Sequence, residues 1–179
     1  EQFKDDRNEV VENAIQDGVT KMLLPNISSQ YTTAMMDLCE TYPDNCFPMM
    51  GLHPCDVKAD TIKKELLHVE EMLQKEKFIA IGEIGLDLYW DKTTLEIQKE
   101  AFIYQIELAK KHQLPIAIHV RDSFTEAIKI IEKLNDENLS GVFHCFTGNE
   151  EDAKRVINLG NFYLGIGGVL TFKNAGVDK

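Results

Sequence analysis

The 179-residue chain alternates strictly between short apolar runs and longer amphipathic segments, and this alternation limits the folds that it can adopt. Several apolar runs contain consecutive apolar residues, as at 79–81 (Ile-Ala-Ile) and 116–118 (Ile-Ala-Ile), without the polar alternation of a half-exposed strand. Strands of this kind are covered by helices on both faces and are typical of parallel sheets. The pattern predicts a single α/β domain over residues 1–179, built from βα units.

Periodicity, capping residues and glycine or proline breaks together predict six strands and six helices. The strands are expected at 19–25, 46–54, 78–84, 114–120, 141–146 and 162–172. Helices are expected at 5–17, after Ser28 or Ser29, after Asp60, after capping boxes of Thr93 with Glu96 and Ser123 with Glu126, and after Asn149.

Polar residues end four consecutive predicted strands, and their distribution distinguishes two architectures. His53, Glu83, His119 and His144 each stand at or near the end of an apolar run. In a (β/α)8 barrel the site residues come from the C-terminal ends of many strands, whereas an open doubly wound sheet concentrates them at its switch point. We therefore predict a (β/α)8 TIM barrel, represented by six βα units with the first and last strands absent from the sequence.

Glu83, His119 and His144 supply one carboxylate and two imidazoles, a donor set suited to a divalent metal such as Zn²⁺. A buried carboxylate is costly without a partner, so Glu83 needs a hydrogen bond or a metal ion. The alternative is that the three residues are unrelated and each is satisfied locally. We expect them to converge on one site at the C-terminal edge of the sheet.

Two further residues are candidates for binding substrate. Strand alternation places Arg121 on the same face as His119, where a guanidinium can hold a phosphate or carboxylate; the alternative is a salt bridge to an acid. His53, in the sequence GLHP, is a weaker candidate, because a histidine before proline is often a turn residue. Cys145 follows His144 directly, and alternation predicts that the two face opposite sides and form no catalytic dyad.

Charge and cysteine content restrict the partners and the compartment. The chain carries 19 Lys and Arg against 30 Asp and Glu, a net charge of -11, which is the wrong sign for holding phosphate backbones by counterion release. A polyanionic substrate therefore needs a local positive centre such as metal ions. The four cysteines form no CxxC pair, which favours free thiols in a reducing compartment, and no apolar run approaches a membrane span of about 18 residues. We expect a cytoplasmic protein that does not enter a membrane.

Four motifs, GLHP, GEIGLD, LPIAIHVRD and FHCFTG, in this order and spacing, resemble those of the TatD-type metal-dependent deoxyribonucleases. The resemblance covers essentially the whole chain and implies an amidohydrolase-type (β/α)8 barrel that hydrolyses DNA phosphodiester bonds with two divalent ions, Zn, Mg or Mn. It also implies that Glu83 bridges the two metals and that His119 and His144 bind one of them.

The chain also departs from the family pattern. The family begins with a strand that carries an HxH pair and places an Asp in a DSP-like motif on its last strand, and neither motif is present here. The tail TFKNAGVDK ends before any eighth strand, so we expect a chain truncated at both ends. Cys55 stands where the family often has a second histidine after GxHP.

The resemblance and the site pattern together lead to a functional expectation. We expect a metal-dependent hydrolase that cleaves phosphodiester bonds in DNA, with Glu83 as catalytic residue and ligand, and with Arg121 and His53 binding substrate. No stable protein partner is implied. Two alternatives are an amidohydrolase-like enzyme acting on another ester or amide, and a barrel remnant that binds metal without turnover.

Overall fold

The computed structural model describes residue 3 and residues 5–175, and its centre is one six-stranded sheet. All neighbouring strands are parallel and follow chain order. The strands are β1 (Met22–Pro25), β2 (Cys46–Met50), β3 (Ala80–Asp87), β4 (Ile116–Arg121), β5 (Gly141–Phe143) and β6 (Phe162–Leu164). The helices are α1 (Arg7–Gln16), α2 (Thr32–Thr41), α3 (Ile62–Lys75), α4 (Leu95–His112), α5 (Phe124–Leu134) and α6 (Glu150–Asn158).

The alternation of helices with parallel strands confirms the predicted βα units, and the fold is of the (β/α)8-barrel type. Strands β1 and β6 form the two ends of the sheet in the part of the chain that the structure describes. The predicted lack of an eighth strand concerns in part residues 176–179, which lie outside the described residues. None of the described helices combines the length and the apolar character needed to cross a membrane.

The main core lies between the sheet and the helices that cover it. On α3 one apolar face is buried at spacings of four, three and four residues, and on α5 the buried face is fully inaccessible. Burying one such side chain stabilises the fold by about 1.5–3 kcal/mol, so these faces fix where each helix lies on the sheet. The buried residues are Ile62, Leu66, Val69 and Leu73 on α3, and Ala127, Ile128 and Ile131 on α5.

The sequence predicts five helix starts with a polar cap, and one of them is confirmed in detail. The caps predicted at Ser28 or Ser29 and at Asp60 are wrong, because the N-cap residues are Tyr31 for α2 and Thr61 for α3. Asn149 caps α6 in a reciprocal capping box with Asp152, which satisfies two otherwise unpaired backbone N–H groups. The box predicted for Ser123 is wrong, because the Ser123 hydroxyl donates to the Leu86 carbonyl at 2.7 Å instead. The box predicted for Thr93 is also wrong, because Asp91 caps a short 3-10 turn that precedes α4.

Strand β3 is longer than predicted and runs on to Asp87, so Glu83 lies within the strand and not at its end. The pairing of β3 with β4 shifts register between Ile81 and Ile84, next to Glu83. At Gly85, φ is +142° and a Cβ would clash with the backbone carbonyl of His119. Only glycine allows this close approach, which brings the residues around Glu83 against β4.

Candidate metal centre

Three side chains meet at the C-terminal edge of the sheet. Glu83 on β3, His119 on β4 and His53 in the loop after β2 each offer one potential ligand atom, and these atoms all lie within 4.8 Å of one another. The rings of His53 and His119 are 4.5 Å apart between centroids and meet edge to face at 62°. All three side chains are half-buried, so the group is open to a small ligand on one side.

His53 is positioned by backbone contacts and by a buried glutamine. Gln105 on α4 is only 1% exposed. Its side chain accepts from the Leu52 N–H at 2.7 Å and donates to the Leu52 carbonyl at 3.2 Å. The His53 N–H donates to the Ile27 carbonyl, and Nδ1 of His53 accepts from the Cys55 N–H at 3.2 Å. Nδ1 is therefore already used, and Nε2 is the ring atom left for a ligand.

His119 lies between two carboxylates. Its Nε2 is 2.9 Å from Oδ2 of Asp87, and its Nδ1 is 3.2 Å from Oε1 of Glu83. Asp87 is 2% exposed, and its other oxygen, Oδ1, accepts from the backbone N–H groups of Tyr89 and Trp90 at 3.0 and 3.4 Å. The imidazole is thus held in one orientation, with Nδ1 towards Glu83.

The pKa values of these groups follow from burial and from their mutual charges. Burial opposes ionisation of Glu83 and Asp87, yet the hydrogen bonds and charge of His119 outweigh it and hold the pKa of both carboxyl groups below the ordinary value. Burial also disfavours the imidazolium of His119, but Glu83 and Asp87 raise its pKa overall. Burial and the charge of His119 lower the pKa of His53 to about 4, so His53 is neutral at pH 7.

The donor set fits a divalent metal ion. Two atoms that each bind one ion at about 2.1 Å, at an angle of about 90–110°, lie roughly 3.0–3.4 Å apart. The 3.2 Å between Nδ1 of His119 and Oε1 of Glu83 falls in this interval. A neutral His53 and an ionised Glu83 have the protonation that metal ligands need, and the far nitrogen of His119 has the carboxylate partner typical of a ligating histidine. The raised pKa of His119 means that a metal ion would displace the proton of its Nδ1 on binding.

His144 lies outside this close group. It follows β5, its side chain is exposed, and its Nε2 is 3.3 Å from Sγ of Cys145. The prediction that His144 and Cys145 point apart is wrong, because β5 ends at Phe143 and Cys145 has a positive φ of 45°, so strand alternation no longer applies. His144 does line the same cavity of about 500 Å³ as Glu83, and its charge contributes to the lowered pKa of Glu83.

Arg121 ends β4 two residues after His119 and stacks on an aromatic ring. Its guanidinium carbon is 3.6 Å from the centroid of the Tyr89 ring and 5.6 Å from that of Trp90. Among the described residues no carboxylate forms a salt bridge with Arg121. The alternative interpretation, that Arg121 pairs with an acid, is therefore not supported. The stacked guanidinium keeps its N–H edge for an anion.

Sequence reasoning missed Asp87 and Gln105. Asp87 had a usable signal, because it lies four residues after Glu83 in one strand and alternation puts both on the same face. Gln105 had none, since a glutamine in the middle of a helix does not reveal that it faces the core or which loop it binds. Both residues hold His119 and His53 in place.

Comparison with known proteins places these observations in a family. The model of the TatD-related DNase family matches residues 1–178. The chain is 40% identical over 175 residues to the uncharacterized metal-dependent hydrolase YabD of Bacillus subtilis, covering 98% of this chain and 68% of that protein. It is 31% identical over 179 residues to the 3'-5' ssDNA/RNA exonuclease TatD of Pectobacterium carotovorum, covering 99% and 67%.

Solved structures agree with the sequence matches. The TatD homologue YjjV of Escherichia coli K12 superposes with a TM-score of 0.84 at 29% identity, over 95% of this chain and 65% of that one. The chain thus spans about two thirds of the length of the relatives that it matches. A family model that matches nearly every residue, together with these relatives, shows that the chain belongs to the TatD-related DNase family.

Proposed function

We propose that the site formed by His53, Glu83 and His119 is the metal-dependent hydrolytic centre of a TatD-like deoxyribonuclease that cleaves phosphodiester bonds in DNA. The observation that carries the proposal is the group itself: three donor atoms within 4.8 Å at the C-terminal edge of a parallel sheet. Active sites of barrel enzymes lie at this edge. The relatives named as metal-dependent hydrolases and as ssDNA/RNA exonucleases support the same reaction class.

In this proposal Glu83 and His119 are the central metal ligands, and Glu83 also orients the attacking water. His53 is close enough to contribute a third donor, in addition to the substrate contact expected from the sequence. His144 stays a proposed ligand as well, because it lines the same cavity as Glu83. A bound divalent ion would supply a nucleophile at neutral pH and polarise the phosphodiester. We propose Zn, Mg or Mn, with two ions in the site as in the family.

Arg121 has the role of holding the scissile phosphate. Its guanidinium is fixed by the Tyr89 ring, and Arg121 lies on the same strand as His119. An anion bound to Arg121 is therefore placed beside His53, Glu83 and His119, the metal group. A fixed cation is needed here, because the chain as a whole carries a net charge of -11 and repels a polyanion. We further propose a cytoplasmic protein without a stable protein partner; the four free cysteines support a reducing compartment.

The test is cleavage of a single-stranded DNA oligonucleotide by the metal-free protein before and after addition of Mn²⁺, Mg²⁺ or Zn²⁺. We expect activity only with metal, and we expect His119→Ala to lose most of it while the circular dichroism spectrum stays unchanged. His112→Ala, which removes a histidine from the far end of α4, is the matched control and should retain activity. Cleavage in excess chelator, or full activity of His119→Ala, would contradict the proposal. Activity confined to a carboxylic ester or amide would assign the site to another hydrolase reaction.

A further inference from the structure

A second cavity, of about 450 Å³, lies beside the metal group. It is lined by Cys55 and Lys58 from the loop after β2 and by Trp90, Asp91 and Thr94 from the segment after β3. Both segments are tied to the site, since the Cys55 N–H donates to His53 and the Trp90 N–H donates to Asp87, the partner of His119. A ligand in this cavity therefore has a fixed position relative to the metal group.

Two large aromatic rings stand exposed here, Trp90 in the lining of the cavity and Tyr89 directly before it in the chain. Trp90 is 72% exposed and Tyr89 is 51% exposed, and their rings meet edge to face with centroids 4.9 Å apart. Exposed aromatic surface loses the stabilisation that burial would give, yet the backbone of this pair is fixed by two hydrogen bonds to Asp87. The indole is thus presented to solvent on a fixed backbone, with a face open to a planar partner.

The same rings border a positive charge. The Arg121 guanidinium stacks on Tyr89 and lies 5.6 Å from the Trp90 ring, and Lys58 also lines the cavity. An aromatic face next to a stacked arginine is the combination with which proteins bind single-stranded nucleic acid, because the ring stacks on a base and the cation holds the phosphate. A base in a duplex is already stacked on both sides, so the arrangement favours an unpaired one.

We propose that Trp90 stacks on the nucleobase adjacent to the phosphodiester that the metal centre cleaves, and that the cavity beside Trp90 receives this base. The proposal rests on the proposed nuclease function and adds to it a binding site for one base. Arg121 then holds the phosphate of the same nucleotide. The Tyr89 ring holds the guanidinium in place by stacking against it.

Trp90 is the only tryptophan of the chain, so its fluorescence reports directly on the proposed contact. We would titrate the protein with a single-stranded oligothymidylate in the presence of chelator, which prevents cleavage, and with a backbone of equal length made of base-free tetrahydrofuran phosphates. We expect quenching by the oligothymidylate and little by the base-free strand. Equal quenching by both strands, or none by either, would overturn the proposal.

Kinetics with metal present provide the second measurement. We expect Trp90→Ala to lower kcat/KM on the oligothymidylate about 5- to 150-fold, the effect of losing one base stack. On the base-free strand the variant should match the wild type. Trp90→Phe should recover most of the loss, and Tyr104→Ala, which removes a part-exposed aromatic ring from α4, is the control that should change nothing.

The outcomes separate the two claims. If the wild type cleaves neither strand with any metal, the nuclease function itself fails. If the wild type cleaves the oligothymidylate and Trp90→Ala cleaves it equally well, the nuclease function stands and the base site is wrong.

Discussion

The buried carboxylate of Asp87 lies 2.9 Å from Nε2 of His119 and determines which nitrogen of that ring faces Glu83. When Nε2 carries the proton donated to Asp87, Nδ1 has a free lone pair directed at the metal group. Asp87 is thereby a positioning residue, because it acts on the site through His119.

Asp87→Asn should invert this arrangement. Oδ1 of Asp87 accepts from the N–H groups of Tyr89 and Trp90, so an asparagine that keeps those bonds turns its NH2 towards His119. Nε2 must then accept, and the proton moves to Nδ1, where it blocks the metal. We expect metal affinity to fall about 10- to 100-fold, measured by calorimetric titration, and the 15N shifts of the His119 ring to exchange.

Ser123→Ala is the control for Asp87→Asn. It removes the buried hydrogen bond to the carbonyl of Leu86, next to Asp87, and should cost about 0.5–1.5 kcal/mol of stability. Because the carboxylate stays, metal affinity should be unchanged. Wild-type metal affinity in Asp87→Asn would show that Asp87 has only a structural role.

The two hydrogen bonds between the Gln105 side chain and the backbone of Leu52 give a stability prediction. Gln105→Leu keeps the side-chain size but leaves the N–H and carbonyl of the buried Leu52 without partners, so the free energy of unfolding should fall by roughly 1–3 kcal/mol. Urea unfolding measures it. Gln74→Leu, on the exposed face of α3, is the matched control and should change stability by less than about 0.5 kcal/mol. Equal effects of the two substitutions on the free energy of unfolding would show that the hydrogen bonds of Gln105 to Leu52 do not stabilise the fold.

Alkaline pH should destabilise the protein through Cys39. Burial, with a smaller effect of Cys46, raises the pKa of the Cys39 thiol from 9.0 to about 11. Between these values the unfolded chain releases this proton and the folded protein keeps it, so the folded state binds more protons and stability falls as pH rises from 9. Urea unfolding at several pH values between 8.5 and 10.5 should show a weaker decline in Cys39→Ala than in the wild type. Identical declines would mean that Cys39 ionises equally in both states.

Sequence periodicity was sufficient for the fold but not for the details of the site. The helices after Asp60 and after Asn149 are predicted from residues a few positions apart, and both helices are present. The predicted cap at Ser123 is wrong because its hydroxyl binds Leu86, 37 positions away in the chain. A hydrogen-bond partner this far away in the chain cannot be predicted from the neighbouring residues.

The same limit explains the site. The sequence pattern grouped Glu83 with His119, and the fold brings them together. Glu83 lies on β3 and His119 on the adjacent β4, and the two strands end at the same edge of the sheet. It could not show that His53 enters the close group, because that depends on a loop path fixed by Gln105. It also could not show that β5 stops before His144, which removes that residue from strand geometry.

The most direct test of the central claim is an anomalous diffraction map from crystals of the protein soaked in Mn²⁺ or Zn²⁺. We predict a peak within bonding distance of Nδ1 of His119 and a carboxylate oxygen of Glu83, and no peak at that position in crystals of His119→Ala. A protein that is active in the same metal solution but has no anomalous peak between Glu83 and His119 would contradict it.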